Sequence, residues 1–212
     1  MKAVYFLFLG IILLSACTND KKAAVEEEKT DSVIIQQDTV PVIEKEEPGL
    51  NDLTQTILEQ IKNKNYSSLS QYAHPDSGIR FSPYGYVNTA TDIVIKPGQF
   101  RSMINDSTKL VWGHYDGSGD EIYLTFKEYF DKFVYNVDFL NPEKLSINQS
   151  AAKGNSLNNI IKVYPNAEYT ESYFSGFDKK YNGMDWQALR LVYKKQAGNY
   201  YLVGIVHDQW TI

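Results

Sequence analysis

The apolar residues after position 49 repeat with the period of an α-helix, which predicts a helix at the start of the folded region. Five of them share one stripe of that helix: Leu50, Leu53, Ile57, Leu58 and Ile61. Asn51 is its predicted N-cap. A second, short helix is predicted to contain Tyr66, Leu69 and Tyr72 and to end before Pro75.

The middle of the chain predicts short strands, two helices and a hairpin. The predicted strands cover residues 79–82, 92–95, 110–115 and 121–124. The last two form a hairpin, because the residues between them are Asp, Gly and Ser. Pro97 suits the first turn of a helix that carries Phe100, Met103 and Ile104. Thr125 and Glu128 have the spacing of a capping box, which predicts a further helix.

The last third of the chain predicts strands rich in Tyr, Val, Ile and Phe. They cover residues 144–149, 158–164, 168–174, 185–194 and 200–210. Strict alternation in the last strand divides its residues into two faces. One face holds Tyr201, Val203, Ile205 and His207, and the other holds Tyr200, Leu202, Gly204, Val206 and Asp208. Both faces are apolar near the middle, so this strand is predicted to be central in its sheet.

Helices followed by antiparallel strands indicate one α+β domain over residues 49–212. The order of elements resembles the NTF2-like cone, in which a curved, mainly antiparallel sheet wraps an N-terminal helix. Segments 74–84, 112–119 and 202–212 also resemble a domain of secreted or lipid-anchored bacterial proteins. This resemblance covers residues 50–212 and implies no particular activity.

The N-terminus predicts an exported lipoprotein. Lys2 precedes an apolar run, residues 3–14, that is too short to span a membrane. Leu14-Ser15-Ala16-Cys17 resembles the lipobox of bacterial lipoproteins, which implies cleavage before Cys17 and lipid, palmitate included, on that cysteine. Residues 1–16 are therefore the predicted signal peptide, and the predicted location is the bacterial cell envelope, at the outer membrane. The alternative is an ordinary signal peptide that contains a cysteine.

The acidity of the protein is concentrated after Cys17. Of 21 basic and 26 acidic residues, four lysines and nine carboxylates lie between residues 18 and 48. This segment has no aromatic residue, so residues 17–48 are predicted to be a lipidated cysteine and a disordered tether. The remaining domain is close to neutral, which argues against nucleic acid as a partner. The membrane face, periplasmic or surface, stays open.

Arg80, Tyr84 and Tyr86 form the main candidate for a ligand site. A planar guanidinium between aromatic rings can hold a carboxylate or a sugar ring. With His114 and Trp210 they make up the predicted binding surface. The structural alternative is that the tyrosines edge the sheet and Arg80 pairs with a carboxylate.

The three histidines, His74, His114 and His207, each have an aspartate nearby. Their spacing matches no short metal motif, and the acidic loop at 116–121 lacks the EF-hand pattern, so no metal site is predicted. His114, His207 and Asp208 could form an acid/base site in a concave pocket. The chain has no phosphate-binding loop, dinucleotide fingerprint or nucleophile elbow, and no cofactor is predicted.

Three functional hypotheses follow. The favoured one is a non-catalytic envelope module that binds a small molecule, a glycan or an envelope protein. The second is a small hydrolase or isomerase that uses His114, His207 and Asp208. The third is a structural lipoprotein, which a broad apolar patch without a cavity would favour.

Overall fold

The computed structural model of this chain describes residues 49–152 and 157–211. The predicted signal peptide, the predicted lipidation site at Cys17 and the predicted acidic tether lie outside these ranges. Within them, no helix has both the length and the apolar character needed to cross a membrane.

In the described ranges the helices and strands follow the predicted order with one exception. The helices are α1 Leu50–Lys62, α2 Leu69–Tyr72, α3 Phe100–Asn105, α4 Phe126–Tyr129 and α5 Ile160–Val163. The strands are β1 Ile79–Ser82, β2 Ile93–Ile95, β3 Leu110–His114, β4 Glu121–Leu124, β5 Lys144–Ile147, β6 Glu168–Phe174, β7 Gln187–Gln196 and β8 Asn199–Gln209. A π-helical turn, Phe130–Val134, continues α4.

Six strands form one sheet in the order β2-β1-β8-β7-β6-β5, and β3 and β4 form a separate hairpin. Neighbours in the sheet are antiparallel except β1 and β8, which run parallel with Arg80 opposite Gly204. The prediction of an α+β fold with a mainly antiparallel sheet is therefore confirmed. The prediction that the last strand is central is also confirmed, because β8 lies between β1 and β7.

Helix α1 packs its apolar stripe against one face of the sheet, where Ile57 and Leu58 are fully buried. A buried polar contact also fixes the helix. The Thr54 hydroxyl hydrogen bonds with the hydroxyls of Thr170 at 2.9 Å and Tyr193 at 2.8 Å. The predicted N-cap at Asn51 is wrong, because the helix already includes Leu50 and its N-cap position is occupied by Gly49.

The strand predicted at 158–164 is wrong, because this segment contains the short helix α5. Asn159 attaches the segment to the loop after β1 through two hydrogen bonds with the Val87 backbone, at 2.8 and 3.0 Å. Ile160 packs with Val87 in a smaller apolar cluster that also contains Val192 and Val206. Helix α5 therefore covers the face of the sheet opposite α1, and Ile160 is buried there without pairing as part of a strand.

The strict alternation predicted for the last strand is also wrong, because β8 contains a bulge. Val192 of β7 pairs with Gly204, whereas Tyr193 pairs with Leu202, so Val203 is an extra residue. The bulge moves Leu202 to the main core together with Ile205, while Val203 joins the smaller cluster.

An aromatic cluster joins the β3–β4 hairpin to helix α4 and, through the edge-on contact of Trp112 with Phe81 at 5.9 Å, to the sheet. The predicted capping box is confirmed, since the Thr125 hydroxyl accepts from the Glu128 amide and the Glu128 carboxylate accepts from the Thr125 amide. The helix it starts places Tyr129 flat against Trp112, with ring centroids 3.9 Å apart. Phe133, one turn later, packs against Tyr129 at 5.3 Å. The ring of Phe133 supports the site described next.

Candidate functional site

A cavity of about 450 Å³ opens between the loop that follows β1 and the end of β3. The loop contributes Pro83, Tyr84, Gly85, Tyr86, Asn88, Thr91 and Asp92. The hairpin contributes Gly113, His114, Tyr115 and Asp116, and Leu157 and Thr211 complete the lining. We refer to this space as the tyrosine cavity.

Three of the five predicted ligand-binding residues meet here: Tyr84, Tyr86 and His114. Arg80 does not line this cavity, because it lies within β1, whereas the cavity is formed by the loop that begins after Ser82. Its side chain lines a different cavity, and its Nη1 donates to the backbone carbonyls of Thr89 and Asp92 rather than to a carboxylate. Trp210 is 39% exposed and lines neither of these two cavities.

Two of the cavity tyrosines are held in fixed orientations by their neighbours. Tyr84 meets the Phe133 ring edge-on at 5.9 Å, and burial raises its pKa. Tyr115 lies 6.2 Å from the same ring, and the Lys132 ammonium donates to its hydroxyl at 2.6 Å. Tyr86 is 54% exposed. The cavity therefore has fixed aromatic walls and one accessible ring.

The charged side chains of the tyrosine cavity are acidic. The Asp92 carboxylate is buried and accepts from the Ser82 hydroxyl at 2.5 Å and the Asn88 amide at 2.9 Å. Burial raises the pKa of Asp92 above its ordinary value, against the opposing effect of these hydrogen bonds. Asp116 is the second carboxylate, and none of the described lysines or arginines lines the cavity. This composition disfavours an anionic ligand.

His207 lies behind the cavity wall rather than in it. Its ring is 1% exposed and packs edge-on against Phe133 and Phe139. Nδ1 lies 3.1 Å from the carbonyl oxygen of Pro83, and because a carbonyl can only accept, Nδ1 carries the proton. Burial lowers the pKa of His207 to about 4, so the ring is neutral at pH 7.

Asp208 supports the same wall from the other face of the sheet. Its Oδ2 accepts from Arg190 Nη1 at 2.9 Å, while Arg190 Nε donates to Glu171 Oε2 at 2.6 Å. All three side chains are at most 1% exposed. A Cβ added to Gly85 would lie 2.6 Å from Asp208 Oδ2, so this carboxylate directly backs the cavity loop.

The structure does not bring the candidate catalytic residues into one open cavity. His114 lines the tyrosine cavity, whereas His207 and Asp208 are buried and, as neighbours in a strand, project to opposite faces. His74 is also buried, and its Nδ1 accepts from the amides of Asp76 and Ser77 in the turn after α2. No group of three metal-binding side chains occurs among the residues described.

Sequence reasoning missed several of the residues that build this site. The sequence places Tyr115 only in the hairpin and Asp92 only at the start of a strand, and it singles out Asp116 only as the aspartate near His114 in a loop that lacks the EF-hand pattern. A signal for the buried network is present in β7, where Arg190 stands between Leu189 and Leu191. A charge inside an apolar strand indicates a buried ion pair.

No protein-family model and no curated protein matches this chain. The functional proposal is therefore based on the geometry of the tyrosine cavity and on the N-terminal sequence.

Proposed function

We propose that this protein is a lipid-anchored component of the bacterial cell envelope whose folded domain binds a small neutral, hydroxylated ligand, such as a sugar, without transforming it. One observation carries the proposal. The tyrosine cavity combines three tyrosine rings with carboxylate acceptors and lacks a lining lysine or arginine among the described residues.

The chemistry of the lining matches such a ligand. Tyr86 presents an accessible flat ring that can stack on the C–H face of a sugar, and Tyr84 and Tyr115 form aromatic walls beside it. Asp92 and Asp116 offer oxygen acceptors for ligand hydroxyl groups. The volume of about 450 Å³ lies within the range of about 300–1,000 Å³ that is usual for small-molecule sites. A ligand-sized cavity also favours binding over a purely structural role.

The binding test uses two tyrosines of equal exposure. Tyr86 lines the cavity and is 54% exposed, whereas Tyr123 is 55% exposed on β4 and is not part of the lining. The purified protein would be titrated calorimetrically with neutral oligosaccharides, and with amino sugars and sugar acids. We expect a neutral saccharide to bind, and Tyr86→Ala to weaken it about tenfold, roughly 1.4 kcal/mol, while Tyr123→Ala has no effect.

Other outcomes of that titration would reject the proposal. Binding of amino sugars alone would show that the acidic lining of the cavity binds a cationic ligand rather than a neutral one. Equal affinity in Tyr86→Ala and the parent protein would place the ligand outside the tyrosine cavity.

A small hydrolase or isomerase is the second candidate, and one observation favours it. Asp92 and His114 line the same cavity, and burial raises the pKa of Asp92. A carboxyl group with a raised pKa can act as a general acid or base. In this second candidate function, Asp92 and His114 are the acid/base groups instead of His207 and Asp208. It predicts turnover of a bound ligand that Asp92→Asn abolishes while binding persists.

The anchoring part of the proposal depends on Cys17, the single cysteine of the chain. Cells that express the protein would be labelled with a palmitate analogue, and their membranes would be separated by density. We expect label on the parent protein and its recovery with the outer membrane. Cys17→Ala should lose both, and Thr18→Ala should keep both. Labelled Cys17→Ala protein would contradict the assignment.

We also propose that the fold is an NTF2-like cone. Its support is the packing of α1 against one face of the six-stranded sheet and the position of β8 between β1 and β7. An experimental structure that superimposes on this class over α1 and the sheet tests the assignment. A flat sheet that does not curve around α1 would contradict it.

A further inference from the structure

A second cavity, of about 210 Å³, lies beside β1 and β8, close to the end of α5. Its lining includes Arg80, Lys194 and Tyr164 as polar groups. It shares no lining residue with the tyrosine cavity. Arg80 therefore belongs to a site separate from Tyr84 and Tyr86, with which the sequence groups it.

The charges of the second cavity are positive. Arg80 and Lys194 line it, and none of the described acidic residues does. Neither cation forms an ion pair within the described ranges. The guanidinium of Arg80 is nevertheless held in place, because Nη1 donates to the carbonyls of Thr89 at 3.3 Å and Asp92 at 3.1 Å. A fixed guanidinium and a nearby ammonium attract an anion.

Tyr164 adds a hydroxyl group that lacks an acceptor. This oxygen is buried, the Arg80 side chain lies within reach of it as a donor, and no acceptor for its own proton occurs in the described part of the chain. It lies over the sheet at Gly204, where an added Cβ would come within 3.0 Å of it. Burial raises the pKa of Tyr164 to about 12, with Arg80 acting in the opposite direction, so the hydroxyl keeps its proton. A buried O–H donor without an acceptor points to a missing partner.

The remaining lining is mostly apolar. Val94, Val163 and Val203 contribute branched hydrocarbon side chains. Arg80 pairs directly with Val94 on β2 and with Gly204 on β8, so the guanidinium, the valines and the Tyr164 hydroxyl belong to one face of the sheet. The cavity therefore has a cationic part and a hydrocarbon part.

We propose that this cavity is a second binding site, specific for a small monocarboxylate with an apolar body. The carboxylate accepts hydrogen bonds from Arg80, Lys194 and Tyr164, and the apolar body lies against the valines. A planar guanidinium matches a carboxylate in geometry, and the valine walls favour an organic acid over inorganic phosphate. The site is independent of the proposed sugar site.

The test uses benzoate, with benzamide as its neutral counterpart of nearly the same shape. The full protein, labelled with 15N, would be titrated with each compound and with inorganic phosphate. We expect saturable amide shifts at Arg80, Val94 and Val203 with benzoate, and at least tenfold weaker binding of benzamide and phosphate. Equal binding of benzamide, or tighter binding of phosphate, would overturn the ligand class.

Matched variants separate binding from folding. Tyr164→Phe removes only a hydroxyl group whose proton has no acceptor in the described part of the chain, so we expect little change in melting temperature together with at least tenfold weaker benzoate binding. Lys194→Met should also weaken binding. Lys195→Met is the control, because the Lys195 ammonium lies over the Tyr200 ring, 5.0 Å from its centroid, away from this cavity. Unchanged benzoate affinity in Tyr164→Phe and Lys194→Met, or an equal loss in Lys195→Met, would overturn the site.

Discussion

Replacing Arg190 with methionine tests the buried network that supports the tyrosine cavity. The guanidinium lies 2.6 Å from a Glu171 oxygen and 2.9 Å from an Asp208 oxygen, and no partner is more than 1% exposed. Methionine is long and flexible, so it fills much of the space that arginine leaves. The main loss is then the charge, which leaves two buried carboxylates without their counterion. Breaking a buried ion pair in this way costs about 3–5 kcal/mol.

Equilibrium unfolding in urea at pH 7, followed by tryptophan fluorescence, measures this loss. Arg190→Met should lower the free energy of unfolding by about 3–5 kcal/mol. Lys194→Met, an exposed substitution on the same strand, should change it by less than about 0.5 kcal/mol. Arg190→Lys should fall between the two, because it keeps the charge and loses the fork of donors. A loss below about 1 kcal/mol for Arg190→Met would refute the stabilising role of the network.

Three further predictions concern the free energy of unfolding, measured by the same method. The pKa of His207 falls from 6.5 in the unfolded chain to about 4 in the folded protein, so the unfolded chain binds the proton at a higher pH, and about 3 kcal/mol of stability is lost as the pH falls from 7 to 4. The variant His207→Gln should lose about 3 kcal/mol less stability than the parent protein over this range. An equal loss in the two proteins would contradict the burial of a neutral His207. Gly85→Ala should lower the free energy of unfolding by about 1–3 kcal/mol, because the new Cβ clashes with Asp208. Gly98→Ala should lower it little, because there is open space around the new Cβ. Equal losses in the two variants would argue against tight packing of the cavity loop on Asp208. Thr54→Val should cost about 1–3 kcal/mol, because it removes buried hydrogen bonds, and a loss no larger than that of the exposed Thr56→Val would contradict this role.

Local patterns predicted most of the fold. The helical stripe located α1, the capping box at Thr125 located α4, and the runs of β-branched and aromatic residues located the strands of the sheet. The bulge at Val203 was not predictable from alternation, because it depends on how β8 pairs with β7. Ile160, Ile161 and Val163 have high strand propensity and therefore predict a strand, but packing over the sheet overrides this propensity and the segment forms helix α5.

The candidate site was predictable only in part. Tyr84, Tyr86 and His114 were identified from residue type, and the structure brings them to one cavity. The cavity itself exists because the β3–β4 hairpin docks on the sheet through the contact of Trp112 with Phe81 of β1, two side chains that lie in separate parts of the sequence. Local sequence does not encode that docking, so it could neither separate Arg80 from the tyrosines nor bury His207 behind them.

The proposed ligand site, the central claim, is tested most directly by locating a bound saccharide. The 15N-labelled protein would be titrated with the neutral saccharide that binds best in the calorimetric panel, and amide shifts would be mapped along the chain. We expect the largest shifts in residues 83–92 and 113–116. Shifts centred elsewhere, or no neutral saccharide that binds at all, would contradict it.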